Sequence, residues 1–276
     1  MHLWITEYQT PSLAFSCKVT EVLRQEQTAF QQLTVVDTVQ YGRMLLLDDM
    51  VMTTEKDEFV YHEMIAHIAL HAHPAPRKVL IVGGGDGGAL REAVLNPQVE
   101  TAVLAEIDER VIAASRDYFP ALSQTFDHEK AQVIVSNGID YIKKHKDAFD
   151  VVLIDSTEPV GPAKELFSVP FYRDVYSALK KDGILVAQSE SPFINPDVIR
   201  MVYGGIRQVF PLTKLYLASV PTYPSGLWSF TAGSKKYDPE QIINQLQQPV
   251  KYYTPQIHQA AFQLPAFVRE IIAEEN

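Results

Sequence analysis

Asp86 stands in a run of glycines, Gly83-Gly84-Gly85 before it and Gly87-Gly88 after it, that follows the apolar stretch Lys78–Val82 and precedes a helix-forming segment from Ala89. A buried strand emptying into a glycine turn and then a helix is how open α/β sheets make a ligand crevice, because glycine lets backbone approach the ligand and adopts positive φ without strain. The carboxylate changes the chemistry. A loop built for pyrophosphate does not carry a negative charge, which repels phosphate and attracts a cation.

Ligands in such sheets bind at the carboxyl ends of the strands, so the residue ending each strand is informative. The second strand, Val103-Leu104-Ala105-Glu106-Ile107-Asp108, places Glu106 about twenty residues past the glycines, where a carboxylate accepts hydrogen bonds from ribose hydroxyls. The third ends in Asn137-Gly138, whose amide can pair with the polar edge of a base. The fourth ends in Asp155-Ser156-Thr157-Glu158. Together these strand ends describe an adenosine site with extra negative charge beside it. Blander roles compete: Glu106 or Asp108 could cap the following helix, and Asp155 with Ser156 and Thr157 could close an Asx-type turn. The stretch from Ser156 to Pro170 holds three prolines and a glycine, which reads as a lid over a site rather than as a connector. His62-Glu63 with His67 resembles a zinc-protease helix, but residues five apart fall on different faces, and His67 with His71 lacks a third ligand. We expect no metal.

The elements that must position these groups follow from periodicity. Residues 1–58 carry Val-, Thr- and Phe-rich segments at 15–23 and 30–38 and a hairpin across Arg43–Leu47 and Met50–Thr54, which predicts a small antiparallel β domain. From residue 59 strands and helices alternate: a helix through Ile68, strand 78–82, helix 87–95, strand 101–106, helix 109–118, strand 131–136, helix 138–145 and strand 149–154. Helix 168–179, strand 183–188, helix 196–209 and strands 213–220 and 227–233 follow. This predicts an α/β domain over 59–276 with a mostly parallel sheet covered on both faces, closed by a last forty residues that look helical.

Bulk properties narrow the class. With 46% apolar and 21% charged residues, the 276-residue chain can bury a substantial core. A net charge of −10 disfavours nucleic acid or an anionic membrane as partner. Cys17 is the single cysteine, so an intrachain disulfide or a cysteine-based zinc site cannot form. The start MHLWITEYQT lacks a signal-peptide pattern and no apolar run is long enough for a bilayer, which leads us to expect a cytoplasmic protein.

Taken together, GGGDGG at 83–88, Glu106-Ile107-Asp108, DSTEPVGPA at 155–163 and PTYPSG at 221–226 resemble the spermidine synthases, the aminopropyltransferases of polyamine synthesis, in order and spacing from about Trp4 to Gly233. The resemblance implies a Rossmann-like, methyltransferase-type domain under an N-terminal β domain, assembled as a homodimer or homotetramer. It implies transfer of the aminopropyl group of decarboxylated S-adenosylmethionine, a co-substrate rather than a cofactor, to putrescine, giving spermidine and 5′-methylthioadenosine without metal. By motif, Glu106 would hold the ribose with help from Gln31, Asn137 and Gly138 the adenine, and Pro162 would close over it. Asp86 would pair with the donor ammonium. Tyr61, Asp155, Ser156, Thr157 and Glu158 would surround the attacking amine, with Asp155 as proton acceptor, and His62, Gln188, Tyr223 and Trp4 would line the acceptor channel. Three positions depart from the commonest family pattern: Asn137 for Asp, Glu158 for Asp and His62 for Gln. A methyltransferase using S-adenosylmethionine is the nearest alternative. A nicotinamide-dependent dehydrogenase and a non-catalytic polyamine-binding protein are more distant ones.

Overall fold

The structure, a computed structural model, describes residues 3–157 and 161–273, with Gly161 and Pro162 described by backbone alone. Five strands, β1 (Leu3–Thr10), β2 (Leu13–Gln27), β3 (Gln32–Thr38), β4 (Gly42–Leu47) and β5 (Met50–Thr54), lie side by side in chain order as an antiparallel sheet. The expected hairpin joins β4 to β5 through Asp48 and Asp49, both at positive φ, which matches the twist of the strands it connects. One face of β3 and β4 (Leu33, Val35, Leu45, Leu47) packs on Val111, Phe119 and Leu122 of the second domain, and the other (Val36, Met44, Leu46) on Cys17, Val19 and Val51. β1 was not anticipated. Its outward residues are exposed and its buried position is Glu7, so it carries no apolar alternation to read.

Helix α1 (Glu58–Ala72) is buried at every position except Phe59. After it come β6 (Lys78–Gly83), α2 (Gly88–Leu95), β7 (Thr101–Glu106), α3 (Glu109–Tyr118), α4 (Pro120–Ser123), β8 (Ala131–Val135), α5 (Gly138–Lys143) and β9 (Phe149–Asp155). Then follow α6 (Val169–Ala178), β10 (Leu179–Gln188), α7 (Pro196–Arg207), β11 (Leu212–Ala218) and β12 (Trp228–Ser234). The strands form one sheet in the order β11-β12-β10-β9-β6-β7-β8, parallel from β10 to β8, with β12 antiparallel to both neighbours. The α/β class and the mostly parallel sheet therefore agree with the sequence expectation. Central strands β6 and β9 are almost wholly Val, Leu and Ile, as burial on both faces requires. The chain leaves β6 toward β7 and β8, then returns to β9 on the other side, so the order reverses between β6 and β9. That is the crevice where such sheets bind ligands, and Gly83 lies opposite Asp155 across it.

The last forty residues correct the sequence reading. Among the described residues of this segment, only α8 (Pro255–Ala261) and α9 (Ala266–Ile272) are helical. Pro239 and Pro249 interrupt the segment before them, and the amides of Lys251, Tyr252 and Tyr253 donate to the Glu63 carboxylate on α1 instead of to helical carbonyls. His71 of α1 bonds the Asn244 carbonyl, and His258 lies between the Tyr253 hydroxyl and the Pro239 carbonyl. Of the residues that resembled a metal motif, Glu63 and His71 anchor this segment, while His67 bonds Glu92 of α2. No helix among the described residues is long and apolar enough to cross a membrane.

Candidate functional site

The β6–β9 crevice and the facing N-terminal sheet enclose a cavity of ≈ 320 Å³. Gly83, at φ +80, makes the first turn possible: a Cβ there would stand 2.1 Å from the Asp155 carbonyl oxygen, which accepts from the Gly84 amide at 2.7 Å. Gly88 opens the next step, because a Cβ would meet the His62 ring at 2.1 Å. The turn therefore brings Asp86 from the loop, Asp155 from β9 and His62 from α1 together, with one ligand-type atom of each within 4.8 Å of the others.

At one end of the cavity Glu106 closes β7. Its Oε1 accepts from the Asp108 amide at 2.8 Å, and burial pushes the carboxyl up to about 7. Asp108 itself takes the blander role: it caps α3 by accepting from Arg110 N, and it also accepts from Thr28 Oγ1 and Gln31 Nε2, which pins the β2–β3 turn to the second domain. Gln31 lines the cavity from there. Asn137 lines it too, but its Oδ1 already accepts from the Ile139 amide as the cap of α5, so any base acceptor must use the second lone pair. Gly138 beside it is buried against Val82.

At the other end Tyr61 Oη donates to Asp155 Oδ1 at 2.8 Å, while Asp155 Oδ2 is buried without a hydrogen-bond partner. Burial, and then the neighbouring Asp86 charge, push the Asp155 carboxyl up to about 6. Tyr61 packs against Tyr223 and Phe230, with ring centroids 5.4 and 5.3 Å away, and Tyr223 stands edge-on to Trp228. Asp86 accepts from the Gly88 amide at 2.8 Å and lies 3.3 Å from His62 Nε2. His62 Nδ1 faces Glu58 at 2.7 Å, and Glu58 takes both Nη groups of Arg91. Burial alone would keep His62 neutral, but the carboxylates on either side win and hold it protonated, and its charge in turn holds Asp86 below the usual carboxylate range. The same three atoms could hold a divalent cation. With His62 protonated, however, its Nε2 donates to Asp86 and is no ligand, so the cluster presents two carboxylates to an ammonium group instead.

His62 therefore backs Asp86 and is not among the residues lining the cavity, which corrects its expected place in the channel wall. Trp4 is also misplaced by the sequence reading: it lies 55% exposed on β1, and Trp228 lines the cavity where an indole was expected. Ser156, Thr157, Gln188 and Tyr223 line it as expected. Glu158 and the side chain of Pro162 lie outside the described residues. Sequence reasoning missed Glu7 and Glu190, two buried acids in the lining. Glu190 sits two residues past the end of β10, at φ +71, with its carbonyl held by the Ser229 amide and hydroxyl. Reading two residues beyond each strand would have found it, whereas Glu7 has no sequence signal.

Six acids line the cavity (Glu7, Asp48, Asp86, Glu106, Asp155, Glu190), and no Lys, Arg or His is among the described lining residues. Phosphate has no partner there and cations have several.

Comparison with known proteins places this geometry. The spermine/spermidine synthase domain matches residues 58–245 and the spermidine synthase tetramerisation domain matches residues 3–55. A polyamine aminopropyltransferase of Desulforudis audaxviator is 53% identical over 98% of this chain and 99% of its own. Polyamine aminopropyltransferase 1 of Bacillus cereus is 50% identical over 99% of this chain and 100% of its own. Among solved structures, a spermidine synthase in complex with the transition-state analogue AdoDATO superimposes with TM-score 0.96 at 42% identity, covering 99% of this chain and 95% of its own. Spermidine synthase from Thermotoga maritima gives 0.94 at 41% identity, covering 99% and 94%.

Proposed function

Since the chain belongs to the spermine/spermidine synthase family, we propose that it transfers the aminopropyl group of decarboxylated S-adenosylmethionine to putrescine, releasing 5′-methylthioadenosine and spermidine. The observation that carries this reading is the acid-lined cavity. Glu106 at one end suits a ribose diol, Asp86 beyond it suits the donor's ammonium, and Asp155 with Tyr61 faces the position of an attacking amine. Glu7 and Glu190 add two further acids to the lining, which favours an acceptor with a second ammonium over a monoamine. The N-terminal sheet supports a homo-oligomer, since it matches the tetramerisation domain and exposes Leu3, Trp4, Tyr8 and Leu13.

In the reaction the amine lone pair attacks the carbon next to sulfur, the carbon–sulfur bond breaks, and its electron pair returns to sulfur as a neutral thioether. Donor activation is small. The acceptor is the obstacle, because a primary amine of pKa about 10.4 is protonated at neutral pH. Asp155 Oδ1 is held by Tyr61 and Oδ2 is left to take the proton. Raising Asp155 from 3.8 to about 6 makes that transfer about 3 kcal/mol less uphill. Alignment of nitrogen, carbon and sulfur supplies much of the rest, with roughly 7–11 kcal/mol as the upper end of what such positioning contributes.

Asp86 also bears on donor choice. The undecarboxylated donor brings a carboxylate to within about 4 Å of Asp86, a repulsion of about 4 kcal/mol at an effective dielectric of 20. His62, protonated behind Asp86, attracts the same carboxylate from about 7 Å by roughly 2 kcal/mol, leaving a net of about 2. Asp86→Asn removes the repulsion and leaves the His62 attraction, so it is expected to reduce discrimination against S-adenosylmethionine by up to about 10³-fold, measured as the ratio of kcat/KM for the two donors. An unchanged ratio would refute the charge argument. The function itself is tested by mass spectrometry of products from decarboxylated donor and a panel of amines. Methylthioadenosine with spermidine is the expected outcome, and methyl transfer from S-adenosylmethionine would replace this reading with its nearest alternative.

A further inference from the structure

We propose that Asp57 is a positioning residue that fixes the acceptor end of the site by tying the segment Val220–Gly226 to the seam between the two domains. This rests on the functional reading above. Asp57 occupies the cap position of α1, where an Asp side chain ordinarily accepts from the first free amides, yet it makes no such bond. Its Oδ2 instead accepts from the Thr222 amide at 3.0 Å and from Thr222 Oγ1 at 2.7 Å, while Oδ1 takes the Thr54 hydroxyl. Asp57 and Thr222 are both buried, and neither lines the cavity.

The residue after Thr222 reaches the reacting groups. Tyr223 Oη donates to the Met52 carbonyl at 2.6 Å, so the segment has two tethers, one at Asp57 between β5 and α1 and one at Met52 within β5. Held there, the Tyr223 ring packs on Tyr61, and Tyr61 donates to Asp155. Further along the same turn Ser225, at φ +62, bonds Ser191 Oγ at 2.8 Å, next to Glu190. One carboxylate outside the cavity thus acts on the placement of Tyr223 through its neighbour Thr222, and on Tyr61 through the ring contact. The donor half of the cavity (Glu106, Asn137 and the glycine loop) belongs to other elements and makes no hydrogen bond to Asp57.

That division supplies the test. Thr222→Val keeps the buried shape and removes one hydroxyl donor, Thr222→Ser restores the hydroxyl, and Asp57→Asn removes the charge. Thr222→Val and Asp57→Asn are expected to raise KM for putrescine at least about 10-fold, with KM for the decarboxylated donor and Kd for methylthioadenosine within about twofold. Thr222→Ser should stay near wild type. The double variant should be no worse than the more severe single one, since both act on one contact. Equal changes for donor and acceptor, or a lower Tm with both constants unmoved, would overturn the proposal. Wild-type turnover is measured alongside: its absence with every amine would count against the function, whereas an active wild type with an unsplit variant counts against Asp57 alone. Should Asp57→Asn not fold, the Val and Ser pair still decides.

Discussion

Asp155→Asn is expected to lower kcat/KM by at least about 100-fold and, at the same time, to make the protein more stable. The first effect follows from the proton balance, since a general base typically contributes 10²–10⁴. The second follows from the folded environment. Burial and the Asp86 charge raise the Asp155 carboxyl from 3.8 to about 6. Its favourable contribution is therefore complete below about pH 4 and is lost as pH rises through 6, a difference of about 3 kcal/mol. Asparagine keeps an oxygen for the Tyr61 hydroxyl and has no charge to desolvate, so at pH 7.5 the variant recovers up to about that much, read as a higher Tm. Wild-type kcat/KM should rise from a limb near pH 6, where Asp155 ionises, and continue upward into the alkaline range as free amine accumulates. A flat profile between pH 6 and 10 would remove proton abstraction from the mechanism. A variant that is inactive and also destabilised would make Asp155 a structural group.

Acid is expected to act on two buried histidines above the range where ordinary carboxylates titrate. His71 and His258 are both buried, and burial lowers them to about 3 and about 4. A proton on His71 Nε2 would have no hydrogen-bond partner, and its ring stacks on Tyr253 beside His67. On His258 a second proton would displace the hydrogen bond with Tyr253. The unfolded chain takes up protons at these sites below pH 6.5 while the folded protein does not. These two histidines therefore cost nothing above pH 6.5 and about 2 kcal/mol each by pH 5, roughly 4 kcal/mol together. Asp155 and Glu106, pushed up to about 6 and about 7, and the protonated His62 gain stability over the same window and offset much of that loss. Glu58, Asp86 and Glu92 are all held below the ordinary carboxylate range, so their losses begin at lower pH. Urea titrations at pH 7.5 and 5.0 measure the difference. His71→Gln with His258→Gln should shift that difference by about 4 kcal/mol in favour of pH 5.0, and an unchanged pH dependence in the double variant would assign no loss to these histidines.

The strand-end residues were legible in the sequence because a parallel sheet converts linear order into spatial convergence. Every strand ends at the same edge, so Asp86, Glu106, Asn137 and Asp155 had to meet there once the alternation of strands and helices was recognised. The failures share a cause as well. The final segment looked helical because its apolar spacing was read without Glu63, which lies almost two hundred residues away and takes its amides. β1 carried no pattern because an edge strand with an acid on its buried side has none.

The amino-acid sequence alone determined the chemistry at the strand ends and the fold class, since both depend on local period and on which residue follows each apolar run. Only the tertiary structure decided how those groups are charged and held. His62 became the cation behind Asp86 through Glu58 and Asp86, which approach it from different elements. Asp155 acquired its raised pKa from burial, and Asp57 left its helix to hold Thr222. Charge state and placement depend on distances between segments far apart in the chain, and those distances exist only after the domains have packed.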